Sequence, residues 1–367
     1  MIRACAALLT LATAAAAEND LDIPDKVPGD IRLAVYNADL SRRGPGLLLR
    51  DIRDGKPEVL AIARVIASAR PDVLLLGEFD YDFDGVALTA FAEVLSGQGH
   101  DMPYAFAAEP NSGLDSGQDF DGDGRGREPE DAQGYGWFSG DGGLAILSTL
   151  PIEVDRVQDY SDLLWQKLPD AQLPDLDDPE ATIALSFQRL STKAHWVVPV
   201  RLPDGGALNV LAFGASPPVF DGPEDRNGRR NADEIRFWQL WLDGALGEVP
   251  EGPVAVMGNA NLDPFDGDGR KDAIAALLAD PRLQDAAPRS VGGALINDPD
   301  HTGDPALDTV DWPDGAPGNL RVSYVLPDAR LTVSGAGVVW PGPDNPAWTD
   351  LSEHLGAHRL VWVDIRR

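Results

Sequence analysis

The segment Asp119-Phe120-Asp121-Gly122-Asp123-Gly124, followed by Glu130, spaces four carboxylates in the pattern D-x-D-x-D-G-x5-E. This is the spacing of a calcium-binding loop, in which alternating carboxylates converge on one ion and a glycine permits the sharp turn. Gly126 stands where such loops usually carry an apolar residue, Pro129 precedes the final Glu130, and no helical pattern flanks the segment. The expectation is an isolated calcium loop with Asp119, Asp121, Asp123 and Glu130 as ligands, and the competing reading is a solvated acidic loop. Asp266-Gly267-Asp268-Gly269 repeats the motif's start without the later ligands. Glu78 comes so soon after the apolar run Val73–Leu76 that it must sit at a strand's C-terminal end, where loops that carry chemistry begin. His301 follows an acidic loop and could face a cleft, although a lone histidine there is more often plain surface.

The elements that must position these groups are short. Apolar, β-branched runs at Ile31–Tyr36, Val73–Leu76, Leu144–Leu147, Trp196–Val200, Ala207–Phe213, Val254–Met257, Leu320–Leu326, Leu331–Val339 and Leu360–Ile365 read as strands. Ala61, Val65, Ile66 and Ala69 share a helical face that stops before Arg70-Pro71. Asn231 is placed to cap a second helix whose Ile235, Trp238, Leu242 and Ala245 follow helical spacing, with Trp238 in the core. Strands outnumber helices and no repeat of fixed period occurs, so an α+β domain with two sheets fits best. The loops at 108–143, 160–190, 215–230 and 295–319 are long enough to be suspected of function.

The chain has 367 residues, with 60 acidic side chains against 30 Lys plus Arg and a formal charge of −30. That balance excludes a basic nucleic-acid coat protein, and a phosphate backbone should bind poorly unless Arg226, Arg229 and Arg230 are focused on one face. A hydrophobic fraction of 43% excludes global disorder. The single cysteine, Cys5, excludes a disulfide scaffold. One positive charge, an apolar stretch from Ala4 to Ala14 and then Ala15-Ala16-Ala17 read as a secretory signal peptide over 1–17, leaving 18–367 as one domain. The apolar stretch is well short of the ~20 residues a membrane span requires. An exported, periplasmic or extracellular monomer without a membrane span is expected.

Several strand ends carry polar signatures in a particular chain order: Leu33-Ala34-Val35-Tyr36-Asn37, Pro71-Asp72 through Gly77-Glu78-Phe79-Asp80, and Gly143 through Ser148 with Pro151-Ile152. The series continues with Val256-Met257-Gly258-Asn259-Ala260-Asn261, Arg321-Val322-Ser323-Tyr324 and His358-Arg359-Leu360-Val361. In this order the chain resembles the endonuclease/exonuclease/phosphatase superfamily, with an insert around Pro217-Pro218 similar to that of an exported bacterial branch. The resemblance implies a four-layer αββα sandwich of two mainly antiparallel sheets flanked by helices. It implies metal-dependent hydrolysis of phosphodiesters or phosphomonoesters, with magnesium or manganese held by Glu78 and Asn37. Asn37, Asn259, Asn261 and His358 would converge with Glu78 at one end of the sheets around a phosphate-containing ligand. The segment holding Lys193, His195 and Trp196 resembles one near the active site of that family, and a satisfied histidine at a sheet edge is the competing reading of His195.

The chain departs from the family pattern at four places. Asn259 stands where Gly-Asp-x-Asn has its carboxylate, and an amide can neither take a proton nor supply negative charge. Gly214 occupies the position of a histidine that donates to phosphate, Ser323 that of an aspartate before Tyr324, and Gly356-Ala357 precede His358 where Ser-Asp is expected. Ser352-Glu353-His354 imitates the lost Ser-Asp-His one helical turn upstream. These replacements predict a catalytically impaired protein, the alternative being an active magnesium-dependent phosphodiesterase or phosphatase with relocated catalytic groups.

Overall fold

The computed structural model describes residues 20–296, 298–313 and 317–367. The expected leader at 1–17 and Cys5 lie outside the described residues. Eleven strands form two sheets: β1 Ile31–Leu40, β2 Val73–Phe79, β3 Tyr104–Phe106, β4 Gly143–Ser148, β5 Gln158–Asp159, β6 His195–Arg201, β7 Ala207–Gly214, β8 Val254–Asn259, β9 Ser323–Pro327, β10 Thr332–Val338 and β11 Val361–Arg366. One sheet has the order β10-β11-β1-β2-β4-β3 and the other β5-β6-β7-β8-β9. Only the pairs β1–β2 and β7–β8 are parallel, and every other pairing is antiparallel.

Strand alternation sorts the apolar side chains into layers. Along β7, Leu208, Val210 and Ala212 join the core between the sheets, whereas Leu211 and Phe213 face outward. In β8, Ala255 and Met257 point inward and Val254 and Val256 outward. The outward face of the five-stranded sheet is covered by α5 Arg226–Leu242 and α6 Asp272–Leu278, through Ile235, Trp238, Ile274 and Leu277. On the six-stranded sheet the outer layer is α1 Leu47–Arg53, α2 Pro57–Ala69 and α3 Val86–Gly97, through Leu48, Ile62, Ile66 and Phe91. Short helices α4 Pro179–Leu185, α7 Val291–Ala294 and α8 Pro346–Ser352 lie in the connections. The architecture is α+β, an αββα sandwich.

Three local expectations are corrected. Ile235, Trp238 and Leu242 of α5 follow the expected spacing, but the helix runs from Arg226 to Leu242, so Ala245 lies beyond it and is exposed, and Asn231 is interior and caps nothing. Its buried amide instead donates to the carbonyls of Ser216 and Ala260, a polar tie that sequence reading mistook for a cap. The run from Leu320 becomes strand only at Ser323, because Leu320 pairs with Val310 in an isolated bridge. His195 is not at a sheet edge, since β6 lies between β5 and β7.

Candidate active site

The two parallel pairs set the location. Asn37, Glu78, Gly214 and Asn259 lie at or near the C-terminal ends of β1, β2, β7 and β8. Antiparallel partners begin where these strands end, so Gly143, Lys193 and Ser323 arrive at the same rim. Asn37 is level with Gly77, Gly214 with Asn259, and Asn259 with Ser323. A recess of only ≈10 Å³ is lined by Asn37, Gly77, Lys193, Gly214 and Asn259 among others.

Each polar side chain there is tightly placed. Any Cβ at Gly77 would overlap the Asn37 Oδ1, so that glycine makes room for the amide. Glu78 adopts φ 53°, outside strand geometry, and its carboxylate accepts from the Lys193 ammonium, which also donates to the Gly142 carbonyl. Asn259 donates through Nδ2 to Asn261 Oδ1 at 3.1 Å and accepts the Asn261 N–H at 3.1 Å, while Asn261 Nδ2 donates to the Ala215 carbonyl at 2.8 Å. His358 is itself a bridge partner of Val310, stacks edge-on against Trp312 at 5.8 Å, and leaves Nδ1 without a hydrogen bond among the described residues. The buried Ser323 Oγ is likewise unpartnered. Burial and the neighbouring cations Arg359 and Lys193 push the His358 imidazole down to about 4, so it is neutral at pH 7.

A model of the Endonuclease/Exonuclease/phosphatase family matches residues 34–354. The chain belongs to this family. An endonuclease/exonuclease/phosphatase from Beutenbergia cavernae, known from its crystal structure, is 17% identical, with 92% of this chain and 71% of that one covered at a TM-score of 0.52. The family structure from Bacteroides vulgatus is 11% identical, with 92% and 98% covered at a TM-score of 0.51. At such identities the likeness concerns the fold. No curated protein matches.

Family chemistry needs a divalent cation, and the donor types here suit one. Glu78, Asn37 and a residue that sequence reading overlooked, Asp39, offer hard oxygens. Asp39 has φ 49° at the irregular end of β1, where the register with β2 shifts between Asn37 and Leu40. Its carboxylate accepts the Ala357 N–H; the residue is exposed to solvent as a whole, and crowding by surrounding protein together with the nearby Glu78 charge pushes it up to about 6. A Cβ at Gly356 would overlap that carboxylate, so the glycine gives Asp39 its space. The signal available in the sequence was the i, i+2 step from Asn37 in Asn37-Ala38-Asp39.

Other expected residues lie elsewhere. His195 is buried, with Nδ1 2.6 Å from Ser191 Oγ and Nε2 2.9 Å from the Glu234 carbonyl, so it is a satisfied structural histidine. His301 Nε2 donates to the Pro317 carbonyl at 2.8 Å. Ser352 bonds the Thr349 carbonyl at the end of α8, and Glu353 and His354 are exposed. In the acidic loop, Asp119, Asp121 and Asp123 each bring an oxygen within 4.8 Å of the others, and Glu130 does not join them. A short 3-10 turn opened by Pro129 leaves Glu130 exposed, while the next residue, Asp131, folds back to accept the Phe120 N–H at 2.8 Å.

Proposed function

We propose that this chain is an exported, catalytically impaired member of the endonuclease/exonuclease/phosphatase family whose cleft still accommodates a phosphate-containing ligand. One observation carries the reading: Gly214 and Asn259 line one recess, Ser323 is level with Asn259 on the next strand, Ala357 donates its N–H to Asp39, and none of the four bears a group that can shuttle a proton at neutral pH. His358, the family residue that remains, has no partner on Nδ1 to fix its tautomer or stabilise an imidazolium. A magnesium or manganese ion held by Glu78 and Asn37 would supply Lewis-acid polarisation of a phosphoryl oxygen when bound. The chain's own part is to orient: Asn37 and Asn259 present amides to the recess, and His358 offers a neutral ring.

The competing reading, an active phosphodiesterase or phosphatase with relocated groups, is favoured by Asp39, a carboxylate near Glu78 packed against Gly356 next to the Ala357 position, which can take up a proton. The discriminating assay offers DNA, RNA and a chromogenic phosphodiester to the purified mature protein with magnesium, manganese or calcium. Impairment predicts turnover no higher than that of Glu78→Ala. Substantial turnover abolished by Glu78→Ala or His358→Ala establishes the active reading, and turnover surviving both moves the chemistry elsewhere.

Nucleic acid is a poor ligand in this reading. Arg230 donates to the carbonyls of Gln133, Arg189, Leu190 and Ser191, Arg226 to that of Phe120, and Arg229 to that of Glu224. These guanidinium groups serve the interior. The leader-like segment at 1–17 supports export, and no helix of the described residues is long and apolar enough to cross a membrane. We read the chain as a monomer. The proximity of Asp119, Asp121 and Asp123 supports calcium as the ion of the acidic loop.

A further inference from the structure

Glu78 and Lys193 are 115 positions apart, and they form an ion pair beside the recess that Lys193 lines, with side chains 28% and 14% exposed. The lysine is held at both ends. On one side of its backbone the Thr192 N–H donates at 2.5 Å to the buried Glu234 carboxylate, which also accepts from the Ser216 N–H at 2.7 Å and Oγ at 2.8 Å. Its own carbonyl accepts the Asn111 N–H at 2.9 Å. The stem runs over Gly214, where an added Cβ would lie 3.1 Å from Lys193 Cδ. At the tip, a Cβ on Gly142 would stand 3.3 Å from Nζ, and the Gly142 carbonyl accepts from it. Asp39 and Asp141 also feel this ammonium, so it is a positive charge shared by three carboxylates, with Arg359 adding to it at Asp39.

We propose that Lys193 is a tethered cation that takes the place of a divalent metal on Glu78, so that a metal ion enters this cleft only by displacing the lysine. The inference rests on the family reading of Glu78 given above and extends it to what the site holds by default. The ammonium donates to Glu78 Oε1 and to the Gly142 carbonyl at once, so an ion approaching that carboxylate oxygen meets a cation already in place. Magnesium-like ions keep several waters and lose them reluctantly. A tethered competitor also acts at a high effective concentration that no dilution lowers. The glycine at 214 belongs to the same arrangement, since any larger side chain presses on the lysine stem.

The test titrates manganese alone, followed by loss of the free-ion electron paramagnetic resonance signal, with no substrate present. Wild type, Lys193→Met and Lys193→Gln are compared, each with and without Glu78→Gln. Ions taken up by the acidic loop contribute equally to every variant, so differences report the cleft. Freeing Glu78 should tighten manganese binding by roughly tenfold or more in both neutral variants, because the competent state is no longer a minor population. Adding Glu78→Gln should erase that gain. Equal or weaker binding in the neutral variants, or a gain that survives Glu78→Gln, overturns the proposal. Thermal melts identify a variant that fails to fold, and the amide of Lys193→Gln, which can still donate to Gly142, then decides alone. Failure of the impaired-enzyme reading would show instead as wild-type phosphodiester turnover, which this titration does not measure.

Discussion

At position 214, which our reading assigns to an imidazole in the family pattern, the chain has only a hydrogen, and the methylenes of Lys193 lie against it. At 259 an amide donates to Asn261 Oδ1, a bond that a carboxylate would turn into two facing acceptors. Restoring the family residues therefore has different consequences singly and together. Asn259→Asp, Gly214→His, Ser323→Asp and Ala357→Asp should each leave phosphodiester hydrolysis near background, since catalytic groups that act as a unit are non-additive. Combined, and with Lys193→Met to free the space over Gly214, they should raise turnover by about 10²-fold or more, the lower end of one acid–base group's contribution. Steady-state rates on a chromogenic phosphodiester with magnesium or manganese measure it, and a quintuple variant no faster than wild type would discredit the assignment of these positions. The placement of Asn37, Glu78, Asn259 and Asn261 at or just past strand ends was legible because each is a polar exception at the end of an apolar run. The Glu78–Lys193 pair was not, because nothing local links residues so far apart in the chain.

Elements explain why the rim is so well held. Helix α5 presents Arg230, Asn231 and Glu234 on one buried face, and these bind the 189–193 segment, Ser216 and Ala260, which carry the lysine and flank Gly214 and Asn261. Strand positions were readable from two-residue alternation and β-branched content, and most ends fell within a few residues of those found. What alternation could not supply was the start of α5, where Arg226-Asn227-Gly228-Arg229-Arg230 is polar for tertiary reasons: carbonyls of distant loops need donors. Short strands such as β5, two residues long, lack enough sequence to signal themselves. The acidic loop is an element without a core. Its Asp119 accepts the N–H groups of Gly122 and Gly124 at 2.7 and 2.9 Å, and these bonds shape the turn. Calcium bound there should raise Tm by mass action across micromolar to millimolar concentrations, the range of sensor and extracellular sites. Asp121→Ala with Asp123→Ala should remove the increment, whereas Glu130→Ala should leave most of it, because Glu130 stands outside the cluster. A Tm independent of calcium would make this a solvated loop.

Across the whole molecule, 60 acidic groups against 30 basic ones leave some carboxylates in one another's company. Asp308, only 8% exposed, is the clearest case: burial first, then the charges of Asp263 and Asp266, push its carboxyl from 3.8 up to about 7. A carboxylic acid raised in the folded state opposes folding when ionised. The cost is absent below the unfolded value near 3.8, grows as pH rises, and is complete above about 7. Replacing the group with an uncharged amide should therefore stabilise the protein in a pH-dependent way. Asp308→Asn should exceed wild type in stability by about 1–4 kcal/mol at pH 8, and the advantage should shrink steadily toward pH 4. Salt should narrow the gap only slightly, because buried charges are poorly screened. Melting curves of the two proteins from pH 4 to pH 8 decide the matter. A difference that stays constant with pH would mean that Asp308 is ionised as easily in the folded chain as in the unfolded one, and that crowding of carboxylates in the 263–308 region costs the fold nothing.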